Sequence, residues 1–330
     1  MKLLGGMKPV GDFVNVLRQV RTDEIAAEAA RPFRIAVVGA AGSGKTTLVN
    51  RLAAGTFGGL LEPFGLRHMA EYSTPLSPAA RQSAAESDVI IWLQDVTAPS
   101  AADAFGYLQA RARGFLNTGN KADLLVGDWP EKRNGALLIS ALTGENVAER
   151  LVPAILDLQP ELELSMGRAF SAFRHEVTER EILRVARVNA EVAIVSSIPQ
   201  ATLLLGPASA LADTVILTKN QAMLLLRLAA MNGLAVDRGR LVEMVPVVGA
   251  AFGWRTLARE AVGFLPAGLG VVPKAVIAYA GTVAVGKAAA WHYQTGLRMP
   301  EAQFKQIYAD SASRAKGLVR EIAQRVKRAS

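Results

Sequence analysis

Gly39-Ala40-Ala41-Gly42-Ser43-Gly44-Lys45-Thr46 places glycines, a lysine and a hydroxyl at the spacing G-x-x-x-x-G-K-[ST]. Glycines at those positions let successive backbone N–H groups turn inward around phosphate oxygens, and the helix after them adds partial positive charge at its N-terminus. Lys45 would reach the β- and γ-phosphates of a nucleotide, and Thr46 would offer its hydroxyl to Mg²⁺. Thr47 completes this phosphate-binding (P-loop) set. Two further groups of the right chemistry lie downstream: Asn120-Lys121-Ala122-Asp123, and Ser140-Ala141 within Ile-Ser-Ala-Leu-Thr-Gly-Glu-Asn.

The elements that must position these groups are visible in the hydrophobic pattern. Ile35 to Val38 is a β-branched run suited to a buried parallel strand, and a helix from Lys45 to about Ala54 should stop at Gly55. Strand-like runs at Asp88–Leu93 and Ala136–Ile139 alternate with helical stretches at Pro99–Arg113 and Glu145–Leu158, which predicts a mostly parallel α/β sheet. Ligands of open α/β sheets bind beyond the carboxyl ends of the strands, so the three motifs should converge on one nucleotide. With 330 residues there is room for about two domains. The absence of cysteine excludes a disulfide framework and a thiolate metal site, and His68, His175 and His292 have no metal-ligand spacing. A net charge of +8 favours an acidic partner, while 51% hydrophobic residues against 20% charged exceeds the usual apolar share of a soluble domain.

In order and context, GAAGSGKT, NKAD and ISALTGEN resemble the G domain of translation-factor-class GTPases, especially the Era-like group. The resemblance implies GTP and GDP as ligands. In it Asp123 pairs with guanine N1 and N2, Asn120 and Lys121 brace the base and loop, and Ala141, next to Ser140, offers its N–H to guanine O6. Adenine lacks the donors that Asp123 would accept. The chain departs from the family at Ser73-Thr74-Pro75-Leu76, where Asp-Thr-Pro-Gly is expected. Serine replaces the aspartate that holds the magnesium's water, and leucine replaces the glycine whose N–H touches the γ-phosphate. The chain between Lys45 and Ser73 is also short for a first switch loop. Phosphoryl transfer is catalysed mostly by positioning, so these losses predict weak or absent intrinsic GTP hydrolysis, with no confident catalytic residue. The alternatives are an active GTPase completed by a partner's groups, or an Era-like RNA- or ribosome-associated factor.

The apolar excess lies in the second half. A charged helix over Arg174–Glu191 leads into Val192–Ala212, which carries no charge and is long enough to span a bilayer, though Pro199, Gly206 and Pro207 interrupt it. A helix from Thr214 to about Asn232 should stop at Gly233. The uncharged pieces Met244–Trp254, Ala261–Pro273 and Ala275–Gly286 are each too short to span. Gly249 with Gly253, and Ala280, Ala284 and Ala288, put small side chains on one helix face, which suits close packing in a membrane or in a soluble bundle. Ile198-Pro199 through Asp213, Lys219 to Met223, Ala230 to Gly233, Leu265 to Gly270 and Thr282 to Gly286 resemble the bacterial and plastid domain of unknown function number 697. That resemblance implies membrane association on the cytoplasmic face and no established activity.

The expected organisation is thus an amphipathic N-terminal helix (1–31, with Val10, Phe13, Val14, Leu17 and Val20 on one face), an α/β P-loop NTPase G domain (32–160), an all-α apolar helical domain (161–311) and a basic amphipathic C-terminal helix (312–330). The last would suit solvent or an anionic membrane surface. Nucleic acid is the weaker fit, since no aromatic platform interleaves the basic residues. The expected function is a membrane-associated guanine-nucleotide switch or scaffold, acting on a protein partner or as a homodimer.

Overall fold

The computed structural model describes residues 20–53, 67–98, 104–125, 132–133, 135–195, 208–249 and 272–329. They fall into two compact units, one of Ala27–Val177 and one of the described residues within Met1–Ala26 and Thr178–Ser330. The expected amphipathic face from Val10 to Leu17 lies outside the described residues. The first described helix is the short α1 (Thr22–Ala29).

The first unit is built on a six-stranded sheet. Its strands are β1 (Ile35–Ala40), β2 (Met69–Thr74), β3 (Val89–Asp95), β4 (Phe115–Asn120), β5 (Lys132–Arg133) and β6 (Ala136–Leu138). They lie in the order β2-β1-β3-β4-β6-β5, all parallel except the β5 edge. The helices of the unit are α2 (Lys45–Ala53), α3 (Pro78–Ala85), α4 (Phe105–Arg111), α5 (Val152–Leu158) and α6 (Glu163–Ala169). A mostly parallel sheet with flanking helices is the architecture of α/β nucleotide-binding domains.

Strand β3 is buried on both faces, as its unbroken apolar run requires. Ile90 and Trp92 pack with Ala36 and Val38 of β1 against Ala84 of α3 and Leu108 of α4. Helix α3 starts at Ser77, whose hydroxyl accepts the Ala80 N–H at 3.2 Å, with Pro78 in its first turn. Away from the nucleotide motifs, Phe33 stacks on His68 at 4.3 Å and meets Phe170 edge-on, which places one of the three histidines in an aromatic core. The chain enters β2 on one side of β1 and β3 on the other. This reversal opens a crevice at the carboxyl ends of β1 and β3.

The second unit is helical: the part of α7 (Ser171–Val195) from Thr178 on, α8 (Ala208–Met231), α9 (Arg238–Gly249), α10 (Val272–Thr295) and the 29-residue α11 (Glu301–Ala329). Helix α10 carries Ala280, Ala284 and Ala288 against Met299 and against Phe304 and Tyr308 of α11, so the small-residue face admits large side chains of a neighbouring helix. Gly286 does the same for α7, where an added Cβ would come within 2.7 Å of Ile182. The basic C-terminal segment is the end of α11, one continuous helix whose first turn comes directly after Pro300. Among the described residues no helix is long and apolar enough to cross a membrane. Most of Val192–Ala212, and all of 261–271, lie outside them.

Candidate functional site

The β1–α2 turn brings the glycine-rich residues Gly39 to Thr46 together at the carboxyl end of β1. Gly39 sits where a Cβ would come within 2.2 Å of the Leu93 carbonyl oxygen of β3, so the loop leaves the sheet by a path that only glycine allows. Gly42 and Gly44 have φ of 76° and 92°. Gly44 is doubly restricted, since its Cβ would also fall 2.3 Å from Asn120 Nδ2. Lys45 opens α2 and is buried; its Nζ donates to the carbonyls of Ala40 at 2.8 Å and Gly39 at 3.2 Å. Burial pushes its ammonium below the usual lysine range, against the opposing pull of Glu71. Thr46 and Thr47 stand exposed in the first turn of α2, where backbone N–H groups have no intrahelical acceptor.

Asn120, at the end of β4, ties the three motifs into one assembly. Its buried amide donates from Nδ2 to the Ser43 carbonyl at 2.8 Å and accepts at Oδ1 the Ala141 N–H at 2.8 Å. One side chain thus joins the glycine-rich β1–α2 loop to the Ser140–Ala141 loop. The Ala141 N–H is already committed to this bond, so the guanine O6 contact expected of it requires the bond to be shared or given up. Ser140 is buried and holds its own loop, its hydroxyl accepting the Thr143 N–H at 3.1 Å.

Lys121 adopts a left-handed backbone conformation, φ 65°, and turns its ammonium onto Asp95 at the end of β3. Burial alone would raise the Asp95 carboxyl. Hydrogen bonds from Lys121 and from the Thr97 hydroxyl and N–H outweigh it and hold the group below the usual carboxylate range. Asp123 comes next, in a single turn of 3₁₀-helix, Ala122–Leu124. Its Oδ1 is shut off from water and has no hydrogen-bond partner among the described residues. Leaving such an oxygen unmet costs about 1–3 kcal/mol, and Ser87 Oγ and Thr118 Oγ1 in the same unit and Thr178 Oγ1 and Tyr308 OH in the helical unit are likewise buried without a partner among the described residues. Ser43 Oγ, in the phosphate loop, is also buried without a partner among the described residues.

Three residues of this site carry no motif signature. Arg51, in the last turn of α2, donates to the carbonyls of Ala141 and Leu142 and so fastens the helix after the phosphate loop to the Ser140–Ala141 loop. Asp95 positions Lys121. Glu71, in β2, accepts the Thr46 hydroxyl at 2.7 Å. At Ser73-Thr74-Pro75-Leu76, Ser73 is exposed and pairs in register with Gly39, while Leu76 is only 7% exposed and packs into the Ile90–Trp92 core. The segment after β2 is therefore anchored by an apolar side chain.

The donor set suits Mg²⁺ with a phosphate ligand: a threonine hydroxyl, a nearby carboxylate and a lysine for the remaining charge, all hard oxygen or ammonium chemistry. No protein-family model matches this chain, no curated protein does, and no solved structure does.

Proposed function

We propose that the α/β unit binds a guanine nucleotide, GTP or GDP, together with Mg²⁺, and holds it with weak or absent intrinsic hydrolysis. The observation that carries this reading is the unmet, buried Oδ1 of Asp123, set beside a polar assembly in which Asn120 already links the phosphate loop to the Ser140–Ala141 loop. Guanine offers N1–H and N2–H on one edge, and a carboxylate accepts both; adenine offers no such pair. Lys45, freed from the Ala40 and Gly39 carbonyls, would turn to the phosphates, and the N-terminus of α2 would add its partial charge. Mg²⁺ would draw on the Thr46 hydroxyl and supply charge neutralisation between phosphate oxygens.

Weak turnover is supported at β2. Ser73 cannot hold a metal's water as a carboxylate would, and the burial of Leu76 opposes the close approach of that backbone to a γ-phosphate. Such a protein would serve as a switch or scaffold whose state is read by what it holds. The resemblance of the second half, with its net basic C-terminal helix, supports work at an anionic membrane surface, with a protein partner or a second copy of the chain as the other contact. The test is equilibrium binding of fluorescent GDP, GTP and ATP to wild-type protein and to Lys45→Ala, with single-turnover hydrolysis measured in parallel. Guanine-selective binding that is lost in Lys45→Ala, without appreciable turnover, is the expected result. Rapid hydrolysis would overturn the second half of the reading, and equal affinity for ATP the first. Co-sedimentation with anionic liposomes, without carbonate, tests the membrane arm; a protein that stays in the supernatant contradicts it.

A further inference from the structure

The phosphate loop has a carboxylate within reach that none of its motifs includes. Glu71 lies in β2, paired in register with Val37 of β1, two residues before the Ser73–Gly39 pair and on the same face of the strand as Ser73. From there its Oε2 accepts the Thr46 hydroxyl at 2.7 Å. Its charge is felt at Lys45, whose ammonium it stabilises against the effect of burial. The other carboxylates of the site are engaged elsewhere: Asp95 is held by Lys121 and Thr97, and Asp123 stands at the base-binding end. Asp88, just before β3 and so at the opposite, amino end of that strand, is taken up by the Arg34 N–H and by Arg113. A lone carboxylate beside a triphosphate repels it, and the same carboxylate beside a hydroxyl and a phosphate is what Mg²⁺ seeks, because this ion is commonly held by one or two carboxylates, phosphate oxygens and water.

We propose that Glu71 is the carboxylate of the Mg²⁺-binding set, directly or through a metal-bound water, and makes nucleotide binding by this chain depend on the metal. The inference rests on the nucleotide reading above. Without the ion, Glu71 holds Thr46 and opposes phosphate. With it, the Thr46 hydroxyl turns from Glu71 to the metal, and the repulsion becomes an attraction. Ser73 lies close to the same spot but offers only a neutral hydroxyl, so the longer side chain of Glu71 takes over the charge.

The experiment uses the full-length protein and the isosteric variant Glu71→Gln, which keeps the shape and the Thr46 hydrogen bond at an exposed position. Affinity for fluorescent GDP is measured with Mg²⁺ and with chelator, and Mn²⁺ binding to the GDP-loaded protein is monitored by electron paramagnetic resonance. The expected result is that Glu71→Gln lowers Mn²⁺ affinity about 10–100-fold and abolishes the gain in GDP affinity on adding Mg²⁺, while metal-free GDP affinity does not fall. Retained Mg²⁺ dependence in the variant, or wild-type binding indifferent to chelation, overturns this inference and leaves the nucleotide reading standing. Equal losses with and without metal would make Glu71 a packing residue and also overturn it. Failure of the wild-type protein to bind any nucleotide overturns both.

Discussion

Glu181 in the helical unit and Asp123 in the α/β unit both have carboxylate oxygens shut off from water, and the two are treated in opposite ways. Glu181 is 1% exposed and fully supplied: Arg227 donates to both oxygens at 2.9 Å, and Arg184 reaches both as well. Nearby, Asn220 donates to Asn189, Asn189 and Gln221 donate to the Thr282 hydroxyl, and Thr282 donates to the Ala278 carbonyl. Each member of that chain finds its partner inside the bundle, where such a network specifies how α7, α8 and α10 align. Asp123 is left with an oxygen unmet among the described residues. The Glu181 group closes on partners within the helices, while Asp123 keeps one buried oxygen without a partner among the described residues.

Breaking the closed side should have the largest effect. Glu181→Ala strips Arg227 of its bidentate acceptor and is expected to cost about 3–5 kcal/mol. Urea denaturation read by circular dichroism checks it, and GDP affinity should be unchanged because the site shares no partner with Glu181. On the open side, Asp123→Ala is expected to weaken GDP binding roughly 100-fold, as the loss of two hydrogen bonds to a charged group would. Its folding stability should hold or rise, since the variant removes an unmet oxygen; a large loss of stability would place Asp123 with Glu181 as a structural group.

Smaller effects sharpen the contrast. Thr282→Val removes the hydroxyl shared by Asn189 and Gln221 and should cost about 1–3 kcal/mol, again by denaturation. Smallest is the Lys121–Asp95 pair. Because the folded state holds Asp95 below the usual carboxylate range, its contribution is complete above that range and disappears as pH falls through the depressed value. Asp95→Asn should therefore lower stability by up to about 1 kcal/mol at neutral pH and by less in acid, measured as the melting-temperature difference from wild type between pH 3 and pH 7.

The features legible in the sequence are the local ones. The glycine-rich β1–α2 turn is legible because its glycines take backbone positions that other residues cannot, and β1, β3 and β6 because both faces of their runs are apolar. Strands β2 and β4 are not apparent: Met-Ala-Glu-Tyr-Ser-Thr is half exposed, and Phe-Leu-Asn-Thr-Gly-Asn is polar where it serves the site. The C-terminal helix begins at Glu301 rather than near Ala312, although Pro300 with an acidic first turn after it is a recognisable start signal. Arg51, Asp95 and Glu71 lie beyond sequence reasoning for a plain reason. Their partners lie 90, 26 and 25 residues away, and only the fold brings them together. The motif resemblance implies that Asn120 braces the loop. That it does so by occupying the Ala141 N–H is visible only in the fold.

The central claim is that the open end of the sheet is a guanine site read by Asp123. Competition of GDP, ADP and xanthosine diphosphate for wild-type protein and Asp123→Asn tests it most directly, because xanthine carries a C2 carbonyl where guanine has an amino group. The expected result is that wild type prefers GDP to both competitors and that the asparagine variant, now a donor, turns toward xanthosine diphosphate. Equal binding of GDP and ADP by wild type, or a preference untouched by Asp123→Asn, would contradict the account.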